Sequence, residues 1–290
     1  MGRFPQRQRV AAYAIVLRDD AILLSRLAPR VSAQELWTLP GGGLDHGEDP
    51  RTAVVREIHE ETGLDAAVSK QARIYSLHNP RAQHGEHPAD YHALRIVFEG
   101  WVPVDAPAPR VVEVDGSTAD AAWVPLADVR SGVVPVTDLV TQALRDHEPF
   151  QMQRIAAYAV IRRDDAVLLT RISGRGHHTG AWTLPGGGID HGESPAAALA
   201  REVAEECGAP CSVGDLLGVH DVHFSGTAPS GRHEDFHGVH LVFAATIAAD
   251  AEARVVEVDG TTDAVAWVPV ADVEAGAVEV LDVVRHALAL

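Results

Sequence analysis

The chain has 290 residues, of which 46% are hydrophobic and 22% are charged, and its formal net charge is −17. This composition excludes a wholly disordered chain, and the length suggests two domains of about 150 residues each. The acidic balance argues against a nucleic-acid polymer as partner, because like charges repel, so an anionic substrate needs a local device such as a metal ion.

The first half of the chain begins with two predicted strands and a glycine run. β-Branched and apolar residues predict a buried strand over residues 10–17, and a turn separates it from a second strand at 21–25. A short extended piece at 37–40 then leads into three consecutive glycines at 41–43. The basic start of the chain imitates a signal peptide, but a near copy of this segment recurs at 153–162, which favours a strand of the fold.

A helix follows the glycine run. Residues 53–61 have a helical pattern, with Pro50 where the helix begins and Gly63 where it ends. The later predicted elements of this half are strands at 74–77, 94–99 and 121–124 and a closing helix at 139–145. The second half repeats the order with elements at 167–170, 195–206, 239–245 and 280–288. Strands and helices that mix without strict alternation predict an α/β fold, in which helices sandwich a mixed sheet.

The chain is a tandem repeat. The sequence WTLPGGGLDHGEDP starts at Trp37 and recurs as WTLPGGGIDHGESP at Trp182, an offset of 145 positions, and each copy is followed by the stretch VVEVDG. This period is too long for a solenoid, so each copy is predicted to be a complete domain, with residues 1–148 in the first and 149–290 in the second. The short linker between them indicates that the two domains pair within the chain.

Other sequence features limit the partners and the compartment. No apolar run approaches the roughly 18 residues of a membrane span, so no membrane partner is expected. The two cysteines, Cys207 and Cys211, do not make a disulfide framework, which makes the cytoplasm the expected compartment. Whether chains associate into a homo-oligomer is left open by the sequence.

One face of the predicted helix carries an unusual concentration of negative charge. Glu57, Glu60 and Glu61 are spaced i, i+3 and i+4 and share a helix face, where each pair repels by about 3 to 4 kcal/mol at about 4 to 6 Å. A hard divalent cation such as Mg²⁺ would reverse this repulsion, because it prefers oxygen ligands and bridges to phosphates. A solvated acidic face is the plain alternative. The second copy repeats the arrangement with Glu202, Glu205 and Glu206.

The flanking residues extend this pattern to a known motif. Gly42, Glu48 and residues 56–64 (REIHEETGL) match every position of the Nudix box, G-x5-E-x7-R-E-U-x-E-E-x-G-U, in which U is a bulky aliphatic residue. The second copy, starting at Gly187, departs once, because Ala209 stands at the last U position. That position is expected to pack beneath the loop, so the departure bears on local stability more than on chemistry. The chain therefore resembles the Nudix hydrolase family twice over, along essentially its whole length.

This resemblance implies two tandem Nudix-type α/β/α sandwiches with mixed sheets. It also implies a metal-dependent hydrolase, using Mg²⁺ or Mn²⁺, that cleaves the diphosphate linkage of nucleoside di- and triphosphate derivatives, including nucleoside diphosphate sugars. Two alternatives stay open. Either the substrate is a non-nucleotide diphosphate such as a prenyl diphosphate, or one domain, the second being the better candidate, binds a ligand as a sensor or scaffold without turnover.

The resemblance also assigns roles to residues of each copy. The implied metal ligands are Gly42, Glu48, Glu57, Glu60 and Glu61, and in the second copy Gly187, Glu193, Glu202, Glu205 and Glu206. The implied catalytic residues are Arg56, Glu57 and Glu60, and in the second copy Arg201, Glu202 and Glu205, with the arginines orienting the carboxylates. The general base is expected on the box helix or on a downstream loop. Glu57 and Glu113 are the candidates in the first copy, and Glu202 and Glu257 in the second.

Three residues outside the box, at equivalent positions in both copies, are candidates for binding the substrate. They are Arg26, Trp37 and His78 in the first copy and Arg171, Trp182 and His223 in the second. The arginine is suited to phosphate, the tryptophan to stacking on a nucleobase, and the histidine to phosphate or to orienting the substrate. Each also has a structural alternative, namely a surface arginine, a core tryptophan and an exposed loop histidine.

Overall fold

The computed structural model describes residues 4–84, 87–114, 116–174, 178–256 and 260–290, without the side chains of residues 83, 84 and 87. The chain forms two compact units, Met1–Phe150 with Gly226–Glu234, and Gln151–Ser225 with Asp235–Leu290. The domain boundary between residues 148 and 149, and the pairing of the two domains, stay predictions. No helix in the described ranges is long and apolar enough to cross a membrane.

The first unit is built on one mixed sheet of seven strands. The strands are β1 Gln6–Arg18, β2 Ala21–Leu27, β3 Trp37–Thr38, β4 Gly41–Gly43, β5 Ala67–His84, β6 His87–Trp101 and β7 Thr118–Pro125. Their order is β3-β2-β1-β6-β5, with β4 paired to β1 and β7 paired to β2. The β1–β6 pair is parallel and the other pairs are antiparallel, so the predicted mixed sheet is confirmed.

Helix α1, Pro50–Thr62, is defined by its two ends. The Asp49 side chain accepts a hydrogen bond from the Arg51 N–H and so caps the start, while Pro50 occupies the first turn. Gly63 ends the helix in the left-handed region, at a φ of 67°. Both boundary signals predicted from the sequence are confirmed.

The two faces of the sheet in the first unit are covered by different helices. Ala12, Ala14 and Val16 on β1 pack with the apolar residues of α1. The alternate residues Ile15 and Leu17 pack instead with helix α3, Asp138–Asp146. Because successive residues of a strand point to opposite faces, α1 and α3 lie on opposite sides of the sheet. The α/β/α sandwich is confirmed for this unit, which also contains the short helix α2, Leu126–Ser131.

The second unit repeats this architecture. Its strands are β8 Phe150–Arg163, β9 Ala166–Ile172, β10 Trp182–Thr183, β11 Gly186–Gly188, β12 Cys211–Thr227, β13 His233–Ile247 and β14 Thr262–Pro269. Its helices are α4 Pro195–Cys207, α5 Val270–Glu274 and α6 Asp282–Leu288. The order β10-β9-β8-β13-β12 matches that of the first unit. Ala157 and Ala159 pack with α4, whereas Val160 packs with α6.

Several predicted strands are longer in the structure than the sequence pattern indicated. The strand predicted at 74–77 is part of β5, which spans Ala67–His84, and the strand predicted at 94–99 is part of β6. The extension of β5 pairs through the backbone and most of its side chains are exposed, so it lacks the alternation of apolar and polar residues that marks a half-buried strand. The extension of β6 is partly buried, with Ala89 2% and Ala93 5% exposed.

Candidate active site

The glycine run brings a strand, a helix and a loop into close contact. Gly41 has a φ of 138°, and a Cβ there would lie 2.3 Å from the backbone oxygen of Ala12. A Cβ on Gly42 would lie 2.6 Å from the Glu57 carboxylate. A side chain is therefore excluded at Gly41, where it would meet backbone, whereas at Gly42 it would displace the Glu57 carboxylate. In the second unit a Cβ on Gly187 would lie 2.7 Å from the carboxylate of Glu202.

Arg56 gathers three carboxylates of the first box. Its Nε and one terminal nitrogen donate to the two oxygens of Glu48, each at 2.9 Å. Its other terminal nitrogen donates to Glu57 at 3.1 Å and to Glu60 at 3.0 Å. The hydrogen bonds from Arg56 hold the pKa of Glu48 at about 2. The guanidinium therefore offsets the repulsion expected among these carboxylates.

Arg201 does the same in the second unit. It donates to both oxygens of Glu193 at 3.1 and 3.0 Å, to Glu202 at 2.8 Å and to Glu205 at 3.2 Å. Its hydrogen bonds lower the pKa of Glu193. The arginine also donates to the carbonyl oxygen of Gly188, as Arg56 does to that of Gly43, which ties the helix to the glycine run in both units.

Glu61 is buried, unlike the other box carboxylates, and is 3% exposed. It accepts hydrogen bonds from the hydroxyls of Ser25 and Thr118 and from the N–H of Gly41. Burial raises the pKa of Glu61 to about 7, although the three donors act in the opposite direction. In the second unit Glu206 accepts from the Gly186 N–H at 3.0 Å and from Thr262 at 2.7 Å.

The side chains that line the helix surface next to the glycine run are Glu57 and Glu60. Burial raises the pKa of the Glu57 carboxyl, and the nearby charges of Glu60 and Glu113 raise it further, while Arg56 lowers it. The backbone N–H of Glu113 donates to the carbonyl of Glu60 at 2.9 Å, which anchors this residue beside the box. Glu113 is thus close to the helix as predicted for a candidate base, and its counterpart Glu257 lies outside the described residues.

The donor set fits a hard divalent cation in chemistry. The oxygens of Glu57, Glu60 and the Gly42 carbonyl are ligands of the type that Mg²⁺ and Mn²⁺ prefer. The Glu57 carboxylate lies directly against Gly42, because it occupies the space that a Cβ on Gly42 would take. Both oxygens of Glu48 and of Glu61 already accept hydrogen bonds from protein groups. Within the described part of the chain, no three His, Cys, Asp or Glu side chains stand in an arrangement that would hold an ion. The carboxylates of Glu48, Glu57 and Glu60 are held together by Arg56.

Two predicted substrate residues of the first unit, Arg26 on β2 and Trp37 on β3, are cross-strand neighbours. The Arg26 guanidinium lies 6.0 Å from the Trp37 ring centre and 3.7 Å from the Asp120 carboxylate. Trp37 is partly buried against the core of the first unit, which fits the core alternative for this residue. The second unit repeats the group with Arg171, which lies 5.9 Å from the Trp182 ring and 2.7 Å from Asp263. Substrate binding by these four residues stays a prediction.

His78 belongs to a separate polar group at the ends of three strands. Its Nε2 lies 2.6 Å from Asp90, and the neighbouring His92 bonds to Gln8 at 3.2 Å. Gln8 is four residues from Ala12, which pairs with Gly42, so this group is about 13 Å along β1 from the glycine run. It lines a cavity of about 550 Å³. In the second unit His223 lies 2.7 Å from Asp235. Neither histidine joins the box carboxylates, and their role stays a prediction.

Two arginines beside the box were missed by the sequence reasoning. A Cβ on Gly43 would lie 3.3 Å from the guanidinium of Arg9, and a Cβ on Gly188 would lie 2.7 Å from that of Arg154. Each arginine is therefore packed against the third glycine of its run. The signal was present, because the two residues stand at equivalent positions in the repeated segments QRVAAYA and QRIAAYA, but that repeat predicted only a strand.

The chain is similar to one family of known proteins in both of its halves. The model of the NUDIX domain matches residues 7–144 and 152–286. An RNA pyrophosphohydrolase of Saccharophagus degradans is 31% identical over 153 residues, which are 48% of this chain and 85% of that protein. A MutT-like protein of Streptomyces ambofaciens is 38% identical over 71 residues, 24% of this chain and 44% of that one.

A similar solved structure is that of a MutT NUDIX hydrolase from Burkholderia pseudomallei. It is 30% identical, with 49% of this chain and all of that chain covered and a TM-score of 0.36. The chain spans less than half the length of most of the curated relatives that it matches.

Proposed function

Since this chain belongs to the Nudix family, with one matching domain in each half, we propose that both domains hydrolyse a phosphoanhydride bond. The substrates we propose are nucleoside di- and triphosphate derivatives, including nucleoside diphosphate sugars. The observation that supports this proposal is the repeated constellation of an arginine-centred carboxylate cluster beside a glycine run, with the same contacts in both units. A retired site would have no reason to keep these like charges together.

The residues that would hold a divalent cation are Glu57, Glu60 and the carbonyl of Gly42, while Glu48 and Glu61, whose oxygens accept hydrogen bonds from protein groups, stay predicted ligands. Their counterparts in the second unit are Glu202, Glu205 and Gly187. A bound Mg²⁺ or Mn²⁺ would supply neutralisation of the diphosphate oxygens and a more acidic water molecule. These assignments rest on the oxygen donor chemistry of the cluster and on its position at the glycine run.

The chain's own residues contribute positioning and proton transfer. Arg56 fixes Glu57 and Glu60 side by side, so their oxygens face the substrate in a defined geometry. Glu57 is the proposed proton acceptor, because it lies directly against Gly42 of the glycine run. Glu113, anchored to the Glu60 carbonyl, is the second candidate. Arg9 is suited to binding phosphate oxygens from beside Gly43.

The proposal is tested with the full chain and the variants Glu57→Gln, Glu202→Gln and both together. Hydrolysis is measured over a panel of nucleoside and prenyl diphosphates with Mg²⁺ and with Mn²⁺. Each single variant should retain the activity of the other domain, and the double variant should lose at least about a hundredfold. Glu274→Gln, in an exposed residue of α5, is the matched control.

Three results would change this proposal. Full activity in the double variant would contradict it for both sites. Complete loss in one single variant would assign turnover to that domain and leave the other as a sensor or scaffold. Cleavage of prenyl diphosphates alone would overturn the nucleotide substrate class.

A further inference from the structure

The two units differ at three equivalent positions that lie together in each fold. In the first unit Tyr75 and Arg95 are cross-strand neighbours on β5 and β6, and a terminal nitrogen of Arg95 donates to Gln142 of helix α3 at 3.3 Å. We call these three residues the arginine cluster. Arg95 is 8% exposed, its Nε has no hydrogen-bond partner, and among the described residues it forms no ion pair.

The second unit has three histidines at the same positions, namely His220, His240 and His286, here called the histidine cluster. The Nδ1 atoms of His220 and His240 lie 3.1 Å apart, and the rings of His220 and His286 have their centres 5.2 Å apart. The Nε2 of His286 is buried without a hydrogen-bond partner. Each cluster therefore holds one buried nitrogen that the protein leaves unpaired, which is costly unless a ligand completes it.

Both clusters lie near the glycine run of their unit, on strands of the same sheet. In the first unit Ala11 pairs with Gly43 of the glycine run on one side and with Arg95 on the other, so Arg95 lies two strands from the run, and Tyr13 follows Ala11 on the strand between them. The charges of Arg154 and Glu206 act on the hydroxyl of the counterpart, Tyr158. The ring centre of Tyr158 lies 5.1 Å from that of His240.

The residues between the box and the cluster are the same in both units. The second unit has Arg154 at the position of Arg9 and Tyr158 at the position of Tyr13. The change of charge between the units therefore lies at the cluster and not at these two positions.

The two clusters carry different charge. Arg95 is a permanent cation. The imidazoles of His220 and His240 share one proton in their Nδ1–Nδ1 hydrogen bond, which cannot form if both rings are protonated. Burial, together with the charges of His220 and Arg154, lowers the pKa of His240 to about 4. His240, which stands at the position of Arg95, is therefore a neutral imidazole at neutral pH.

We infer that the clusters select the part of the substrate that lies beyond the cleaved diphosphate. The first domain takes diphosphates whose distal part carries an additional anionic group, such as a phosphate on a sugar, because this group would pair with the buried guanidinium. The second domain takes those whose distal part is uncharged and forms hydrogen bonds with imidazoles. This inference rests on the proposed function of both sites.

The test uses matched substrates that differ by one phosphate away from the diphosphate. The two pairs are ADP-ribose with its 2′-phosphate, and dephospho-coenzyme A with coenzyme A. Full-chain Glu202→Gln reports on the first site and Glu57→Gln on the second. The quantity compared is the ratio of kcat/KM for the phosphorylated member to that for the unphosphorylated member. We expect a ratio above one in the first site and below one in the second.

Exchange variants sharpen the test. In the Glu202→Gln background, Arg95→His should lower the ratio by about 10- to 100-fold. This is the change in affinity expected when one hydrogen bond between charged groups is lost. Arg95→Lys keeps the charge and should keep the ratio above one. His240→Arg in the Glu57→Gln background should raise the ratio. Arg130→His, in an exposed residue of α2, is the control and should leave the ratio unchanged.

Equal ratios in the two isolated sites, or an unchanged ratio after Arg95→His in a folded variant, would overturn the inference while leaving the proposed hydrolysis intact. If the wild-type chain cleaves none of the four compounds, the proposed hydrolysis is contradicted for these substrates. In that case the affinities of the same compounds for the two single variants are measured by calorimetry. Equal affinities for the phosphorylated and unphosphorylated member of each pair overturn the inference that the clusters select by charge.

Discussion

The two units of this chain share the arrangement of the box residues and differ at the three positions of the arginine and histidine clusters. Arg56 and Arg201 bind equivalent sets of three carboxylates, and the glycine runs approach Glu57 and Glu202 equally closely. In contrast, the buried guanidinium of Arg95 is replaced by the imidazole of His240. A repeated domain can therefore keep the arrangement of its box while the charge of a neighbouring buried group changes, because the two involve different side chains.

Smaller differences lie beneath the box helix. Ser25 donates to Glu61, whereas the hydroxyl of Thr170, at the equivalent position, is buried without a hydrogen-bond partner. Leu64 is 1% exposed in the first core, and Ala209 at its place is 2% exposed in the second. The one departure from the box motif is thus a buried packing position, as expected.

The largest expected effect comes from adding a methyl group to the glycine run. Gly42→Ala should lower the activity of the first site, measured in the Glu202→Gln background, by at least about a hundredfold, because Glu57 must move away from the run. Thermal stability should change little, since a flexible carboxylate yields rather than the backbone. Gly187→Ala should act equally on the second site.

Gly174→Ala, where a Cβ meets no atom within 4 Å, is the control for both glycine variants. Retained activity in Gly42→Ala but not in Gly187→Ala would show that the two boxes are not equivalent.

The next effect concerns the arginines beside the third glycine. Arg9→Gln and Arg154→Gln should each raise KM about tenfold in the corresponding isolated site, with a smaller change in kcat, because a charge-assisted contact to a phosphate is lost. Steady-state kinetics of the isolated sites, with Arg130→Gln as control, measures this. Unchanged KM in both variants would remove these arginines from substrate binding.

The pH dependence of stability tests the burial of Glu61. Its folded-state pKa, about 7, is above that of an unfolded glutamate, so the folded state retains a proton that the unfolded state has lost. Between about pH 4.5 and 7 this group therefore makes the protein less stable as the pH rises.

Glu61→Gln removes this titration, so calorimetric Tm values of the wild type and the variant should diverge with rising pH in favour of the variant. We expect a gain of a few degrees at pH 8. Glu274→Gln should parallel the wild type. If Glu61→Gln parallels the wild type as well, Glu61 is not protonated in the folded state at mildly acidic pH. The same series with Glu206→Gln compares the second unit.

The smallest expected effect is on stability, when the hydroxyl of Ser25 or that of Thr170 is removed. Ser25→Ala removes a donor to a buried carboxylate and should lower the free energy of unfolding by about 1 to 2 kcal/mol. Thr170→Val should be neutral or slightly stabilising, because its hydroxyl has no partner to lose. Urea unfolding of both variants measures the difference, and equal destabilisation would contradict it.

Local signals in the sequence were sufficient for the repeat, the mixed α/β architecture and the box helix. Pro50 and Gly63 set the ends of α1 because their preferences act within one turn of the chain. The spacing of Glu57 and Glu60 alone placed them on one helix face near Arg56. These features depend on residues that are close in sequence, which is why the pattern was enough.

Features that depend on distant residues were decided only by the tertiary structure. Glu61 is buried because Ser25, Thr118 and Gly41 surround it from three strands.

The arginine cluster likewise joins Tyr75, Arg95 and Gln142 from two strands and a helix. Strand register and helix docking determine which of these residues become neighbours, and both are set by packing of the whole core rather than by local preference. The sequence thus determined which chemistry each domain carries, whereas the fold determined which carboxylate is buried and what lies behind it.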